Sequence, residues 1–426
     1  MNIERGMSTA EPEPIAQQED NSKKTYQQFV DKWLPYHARK KRISPNTYDS
    51  YRSNLENHIL PYFGGRIVST ITSEDIDDFL DSLSRKPCKG AKSYGKAIKD
   101  VPLLSSSSIK KCYTVLYSSF SVAKKWGYMK EIPETTAPSE KNRKRHAWEP
   151  KRIHSILESI KDNKLLHLAV HIAFVCSLRA GETAGIDLRA IDLRDGSLWL
   201  TQQVQRVSDK ALDALPKQTV IRLFPKQVPT AKSSLILKAL KTDGSHRKQY
   251  LTAPLIQEIR ERMAEIKENK AFFGEEYHDY GLLFCQPDGR PYDPKTFDKA
   301  FKDQQRRMGI GEQDQIEFQG LRKSGQMHKV RLSQNNYQLV AENGGQSPEV
   351  LMSNYNEALE SEKRALSRLV EDSFYSPSEI NTPVMEDDLA SLLEKIQQDP
   401  VLSRQLLQTL LVGAVHAEQG SQRKEF

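Results

Sequence analysis

Over the first 130 residues the apolar positions recur at helical spacing. Tyr26, Phe29, Val30 and Trp33 make one stripe, and Tyr48, Tyr51, Leu55 and Ile59 make a second. Ile76, Phe79, Leu80 and Leu83 follow as a third, and Ile109, Cys112, Leu116, Phe120 and Ala123 as a fourth. Local start and stop signals agree with this reading. Ser44-Pro45 supplies a capping serine with proline at the first helical position, Thr72-Ser73-Glu74-Asp75 has the form of a capping box, and Gly127 stops the last helix. The pattern predicts four amphipathic helices in one small domain over residues 24–132. Residues 1–23, rich in Glu, Gln, Ser and Pro, predict a disordered tail, and 133–146, which mixes helix breakers with charge, predicts a linker.

Beyond Ala147 the pattern becomes mixed. Leu165 to Leu178 is apolar almost all round, which predicts a helix buried on most sides and ended by Arg179. Leu198 to Val207 reads as a strand and is followed by a Pro/Lys-rich insertion. Leu235 to Ala239 and Tyr250 to Thr252 read as two further strands flanking Thr242-Asp243-Gly244-Ser245, a hairpin signal. Helical stripes return around Phe297 and Phe301, over Glu357 to Phe374, and in the leucine-rich segments after Leu389 and Leu402. The expected fold class is α+β and mostly helical: a helical domain, a mixed α/β domain over 147–378 with a small antiparallel sheet, and an amphipathic helical extension over 379–426.

Composition narrows the function. The chain has 426 residues, 37% of them hydrophobic, enough for two or three domains with ordinary cores. Its formal net charge of +7 is unevenly spread, since Lys24 to His146 holds 23 Lys/Arg against 12 Asp/Glu, or 23 − 12 = +11. Such segregation suits a surface that faces nucleic-acid phosphates. The four cysteines are scattered without a Cys-x-x-Cys pair, which argues against a disulfide framework or a cysteine-held metal and for a reducing cytosol. No stretch approaches the roughly 20 apolar residues of a membrane span, and the N-terminus has no apolar signal segment. The expectation is a cytoplasmic, nucleoid-associated protein with no membrane partner.

Four separated residues then suggest one chemistry: Arg179 within Ser177-Leu178-Arg179-Ala180-Gly181-Glu182, Lys241 beside the Asp-Gly turn, Arg322, and Tyr355 on a polar helix. Two arginines suit a phosphodiester that gains negative charge in its transition state, a lysine suits a leaving alkoxide, and a tyrosine can attack phosphorus. Glu182, three residues after Arg179, can hold its guanidinium. In order, spacing and context these residues resemble the tyrosine recombinase (phage integrase) family, from about Thr25 to about Phe374. The helical domain, with His58-Ile59-Leu60-Pro61-Tyr62-Phe63-Gly64 after its second helix, looks like the SAM-like core-binding domain of that family. Lys241, Thr242, Ser245 and Arg247 resemble its lysine-bearing hairpin.

The resemblance implies double-stranded DNA as partner, a homo-tetramer on two DNA sites, a 3′-phosphotyrosyl intermediate with Tyr355 as nucleophile, and no metal or other cofactor. It places Gln319 and Gln346 where the family usually has histidine, or histidine or tryptophan. Arg322 lies 33 positions before Tyr355, and Gln346 nine before it. Glutamine can donate to a phosphoryl oxygen but cannot shuttle a proton at neutral pH. A DNA-binding homologue without catalysis therefore stays open beside the recombinase reading, as does a type IB topoisomerase-like enzyme, which the two-domain layout disfavours. Candidate DNA contacts are Arg39, Lys40, Lys41, Arg42, Lys89, Lys92, Lys96, Lys110, Lys111, Arg143, Lys144 and Arg145. The C-terminal stripes fit a helix passed to a neighbouring protomer or one folded on its own domain.

Overall fold

The N-terminal helices begin at their caps. In the computed structural model, α1 (Tyr26–Lys40) opens with a reciprocal box in which the Thr25 hydroxyl accepts from the Gln28 N–H and the Gln28 side chain accepts from the Thr25 N–H. Ser44 caps α2 (Pro45–Asn54), which runs on through a wider π turn (Leu55–Ile59) into α3 (Leu60–Phe63). Thr72 and Asp75 box α4 (Ser73–Ser84), and Ser105 caps α5 (Ser106–Lys125). The structure describes residues 20–88, 102–139, 147–214, 220–240, 243–355 and 367–371. Those up to Tyr355 belong to one unit, and the helical turn at 367–371 belongs to a second.

The four apolar stripes meet in one core. Tyr26, Phe29, Trp33, Phe63, Phe79 and Phe120 are fully buried there. The Tyr26 hydroxyl shares a 2.8 Å hydrogen bond with Ser119 Oγ, so the buried ring leaves no polar atom unpaired. Burial pushes that phenol well above the usual tyrosine range.

The second half opens with α6 (Pro150–Ser159), the apolar α7 (Lys164–Val175) and the short α8 (Ala180–Ala184). Then come β1 (Ile191–Asp192), β2 (Ser197–Leu200), β3 (Gln202–Ser208), α9 (Asp209–Ala214), β4 (Arg222–Leu223), β5 (Ser233–Ala239) and β6 (Arg247–Tyr250). The helices α10 (Ala253–Phe273), α11 (Pro294–Arg307), α12 (Phe318–Leu332), α13 (Tyr337–Gly344) and α14 (Pro348–Tyr355) complete it. This is the mostly helical α+β class expected, with two small antiparallel sheets among the described residues, ordered β1-β2-β6 and β3-β5-β4. No described helix is long and apolar enough to cross a membrane.

Three local expectations are corrected. The helix read over Leu165 to Leu178 stops at Val175, and Arg179 is the N-cap of α8 instead of the end of α7. The run read as one strand, Leu198 to Val207, divides at Thr201 into β2 and β3, which belong to different sheets. Consequently β5 and β6 do not pair as a hairpin. β5 lies on β3, β6 lies on β2, and Asp243-Gly244-Ser245 forms a 3-10 turn between them. The register changes partner strand across Thr201: Leu200 opposes Arg247, Gln202 opposes Ala239, and the Thr201 carbonyl accepts from the Leu240 N–H at 3.1 Å.

The two halves also share apolar packing. Val207, Ala211 and Ile236, from β3, α9 and β5, are buried in the core of the N-terminal helices. Polar contacts flank them: Ser208 Oγ donates to Asp49 Oδ1 at 2.5 Å, and Gln205 Nε2 donates to Asn46 Oδ1 at 2.6 Å.

Where α12 crosses α7, close approach requires glycine at Gly325. A Cβ there would lie 2.1 Å from the Phe174 carbonyl oxygen. Gly325→Ala is expected to cost about 1–3 kcal/mol through overpacking, read as a lower urea midpoint with unchanged slope. An unchanged midpoint would show that the two helices separate freely.

Candidate active site

After Val175 the chain reverses through Cys176, Ser177 and Leu178. Ser177 takes a left-handed conformation with φ +53°. A non-glycine residue pays about 1–3 kcal/mol for that geometry, so it persists where neighbouring contacts hold it. Here the Ser177 carbonyl accepts from Arg322 Nη1 at 2.7 Å. Arg322 arrives from α12, 4% exposed, and its Nη2 donates to the Gly344 carbonyl at 2.6 Å and to Gln346 Oε1 at 3.0 Å. A Cβ at Gly344 would lie 2.2 Å from Gln326 Nε2, so a side chain there would first displace that amide. The ends of α7 and α13 are thereby tied to one guanidinium.

Two more arginines converge on Glu182, which is 1% exposed. The Arg179 N–H and Nη1 donate to its two oxygens at 3.0 and 2.6 Å. Arg247 on β6, 6% exposed, donates through Nη2 at 2.8 Å and also reaches the Ser245 carbonyl at 3.1 Å. Burial alone would raise the Glu182 carboxyl, but Arg247 first and Arg179 after it outweigh burial and hold it below the usual carboxylate range. Glu182 is therefore a fixed anion.

That single carboxylate faces three guanidiniums. Burial first, and the like charge of Arg179 second, pull Arg322 down to about 9, still charged at neutral pH. Lys329, two turns further along α12, donates to Asn343 Oδ1, and burial followed by the repulsion of Arg247 and Arg322 pulls it down to about 8. Positive charge is thus in excess in a buried place, which suits an anion with several acceptor oxygens. Arg179, with a side chain 38% exposed, gives solvent access to it. Gln346 contributes in two directions: its Oε1 positions Arg322, while its Nε2 is buried with no acceptor among the described residues.

The structure brings Arg179, Arg322 and Gln346 together. Gln319 lies half-buried on the first turn of α12, one turn before Arg322. Tyr355 is the last residue of α14, the helix that starts two residues after Gln346. Arg39, Lys40, Lys41 and Arg42 are exposed at the end of α1, and Lys110 and Lys111 are exposed on α5. Lys241, Lys89, Lys92, Lys96, Arg143, Lys144 and Arg145 lie outside the described residues. Arg247 and Lys329 were not among the expected site residues. Arg247 stood in the Lys-Thr-x-x-Ser-x-Arg motif, but only the β2–β6 register turns it inward.

Residues 25–84 match the family model described as phage integrase, N-terminal SAM-like domain. The Tn1549 transposon integrase in complex with transposon right end DNA superposes with a TM-score of 0.58 at 13% identity, covering 82% of this chain and 99% of that one. A lambda integrase (75-356) dimer bound to a COC′ core site gives 0.51 at 16% identity, covering 78% and 96%. Residues 25–84 thus match a phage-integrase SAM-like domain, and the fold of the chain is the one these integrase structures share. Comparison with curated protein sequences gives no match. The matched residues 25–84 lie in the N-terminal helical core, while the arginine cluster lies in the second half of the chain.

Removing Glu182 strands two arginines. Glu182→Ala is expected to destabilise the fold by about 3–5 kcal/mol in urea unfolding, the range for breaking a buried pair; a loss under about 1 kcal/mol would mean the cluster is solvated. Lys329 gives a separate pH signature. Its folded value of about 8 lies below the ordinary 10.5, so between the two the unfolded chain binds more protons and stability rises with pH. Wild type should gain on the order of 3 kcal/mol relative to Lys329→Met across that window. Parallel curves for the two proteins would contradict the burial of a charged amine.

Proposed function

We propose that this chain is a site-specific DNA recombinase that cuts and rejoins duplex DNA through a 3′-phosphotyrosyl link, integrating or excising a mobile element. The observation that carries the reading is the buried excess of positive charge at Arg179, Arg247 and Arg322, with the spare donor of Gln346 beside it. These groups suit a scissile phosphate whose equatorial oxygens gain charge during transfer. The Tyr355 oxygen attacks phosphorus and loses its proton to water. The bond from phosphorus to the 5′ oxygen breaks, and the departing oxygen takes a proton from Lys241. Phosphodiester energy is kept in the covalent link, so neither ATP nor a metal is needed for the reverse step. A 5′-hydroxyl from a partner strand then releases the tyrosine.

Exchange of all strands between two DNA sites takes four protomers, hence a homo-tetramer. The solved proteins of the same fold are in complex with transposon-end and core-site DNA, which supports a duplex as substrate. Arg39, Lys40, Lys41, Arg42, Lys110 and Lys111 would meet the phosphates, with Lys89, Lys92, Lys96, Arg143, Lys144 and Arg145 extending the contact. Gln319 and Gln346 supply hydrogen bonds without proton transfer, which lowers the rate and leaves acid catalysis to Lys241.

The test is a nicked suicide substrate built from the flanks of the encoding gene and resolved on a denaturing gel. A protein–DNA adduct is expected with wild type and none with Tyr355→Phe. Salt-sensitive binding without any adduct would remove the enzyme reading and leave a DNA-binding protein in its place.

A further inference from the structure

Away from the arginine cluster, α7 and α10 are joined by a group that the recombinase chemistry does not use. His167 and His171 stand one turn apart on the same face of α7, and Glu258 reaches them from α10. His167 Nδ1 is 2.8 Å from Glu258 Oε2, and His171 Nδ1 is 2.6 Å from Glu258 Oε1. The three side chains offer one ligand atom each, all within 4.8 Å of one another, and all three are partly buried. We propose that His167, His171 and Glu258 form a binding site for a first-row divalent transition-metal ion of the zinc class, with water in the remaining position.

The donor set decides the class of ion. Two imidazole nitrogens and one carboxylate oxygen suit Zn²⁺, Co²⁺ or Ni²⁺, whereas Ca²⁺ and Mg²⁺ take oxygen ligands and thiolate-seeking ions need sulfur. No cysteine belongs to the group. Bonds of about 2.0 Å in a tetrahedron put neighbouring ligand atoms about 3.3 Å apart. The two His–Glu contacts would open by about 0.5–0.7 Å, and the wider separations, all within 4.8 Å, would close toward that spacing, by side-chain rotation. Each imidazole would carry its proton on Nε2 in place of Nδ1, a tautomer change made through solvent.

The electrostatics of the seam allow it. The Glu258 carboxylate already faces both Nδ1 atoms, so all three donors point into one space between α7 and α10. At the outer end of the seam Lys164 lies 4.0 Å from Glu261, so its charge is offset. An ion held here would bridge α7 and α10, and α7 leads directly into the turn that carries Ser177 and Arg179. Its effect would be on the stability of that arrangement, with no part in phosphoryl transfer.

The test uses the full chain after chelator treatment. Zn²⁺ titration by calorimetry should show one site, and Co²⁺ should give ligand-field absorption without a thiolate charge-transfer band. Zn²⁺ should raise the melting temperature of wild type. Glu258→Gln and His171→Gln, each checked for folding by circular dichroism, should weaken the affinity by at least roughly 100-fold and abolish the thermal shift. His167→Asn serves should either fail to fold. Absence of binding, a sulfur band in the cobalt spectrum, or binding that survives these substitutions would overturn the site and leave a plain His–Glu–His hydrogen-bonded contact.

Discussion

The buried carboxylate of Glu182 is the constraint around which the second half of the chain is arranged. A charge with 1% exposure must be matched, and it is matched by Arg179 from its own helical turn and by Arg247 from a strand 65 residues on. Both guanidiniums are thereby fixed in direction before any ligand arrives. Among the described residues Arg322 pairs with no carboxylate and donates to the backbone carbonyls of Ser177 and Gly344, which bear only partial charge. The result is a rigid, under-neutralised cluster. Such preorganisation is what a phosphoryl site needs, since donors already in place cost no rearrangement when charge develops.

The cluster depends on tight backbone geometry as much as on charge. The α7–α12 contact at Gly325 brings two backbones closer than an ordinary side chain permits, and the left-handed Ser177 turns the chain between α7 and α8. Small residues and one strained residue let three elements share a single guanidinium. The energy stored there is offset by the large apolar core beneath, in which α7 is buried on several sides.

How much of this was legible in the sequence follows from how local each signal is. The N-terminal helices were readable because capping boxes and apolar spacing act within a few residues, and α1 and α4 begin at the caps the sequence shows. The resemblance pointed to Gln346 through its interval to Tyr355, and the structure sets its Oε1 against Arg322. The sheets were not readable, since Leu198 to Val207 looks like one strand and only tertiary pairing divides it at Thr201. The Asp-Gly dipeptide suggested a hairpin but turns the chain from one sheet to the other. Arg247 escaped for the same reason: its burial comes from register, and register is a property of two strands together.

The burial of Val207, Ala211 and Ile236 among the N-terminal helices has a consequence for modularity. The two halves look like separable cassettes joined at 133–146, yet the tip of the β3–β5 sheet and α9 belong to the core of the first cassette. A chimaera that exchanged the N-terminal helices at that junction would expose one apolar surface on each side of the graft. The natural unit of exchange is discontinuous: residues 24–132 travel with the 202–239 excursion. A change of volume at Val207, Ala211 or Ile236 would therefore have to be met by repacking among the N-terminal helices, a dependence that adjacency in sequence would never suggest.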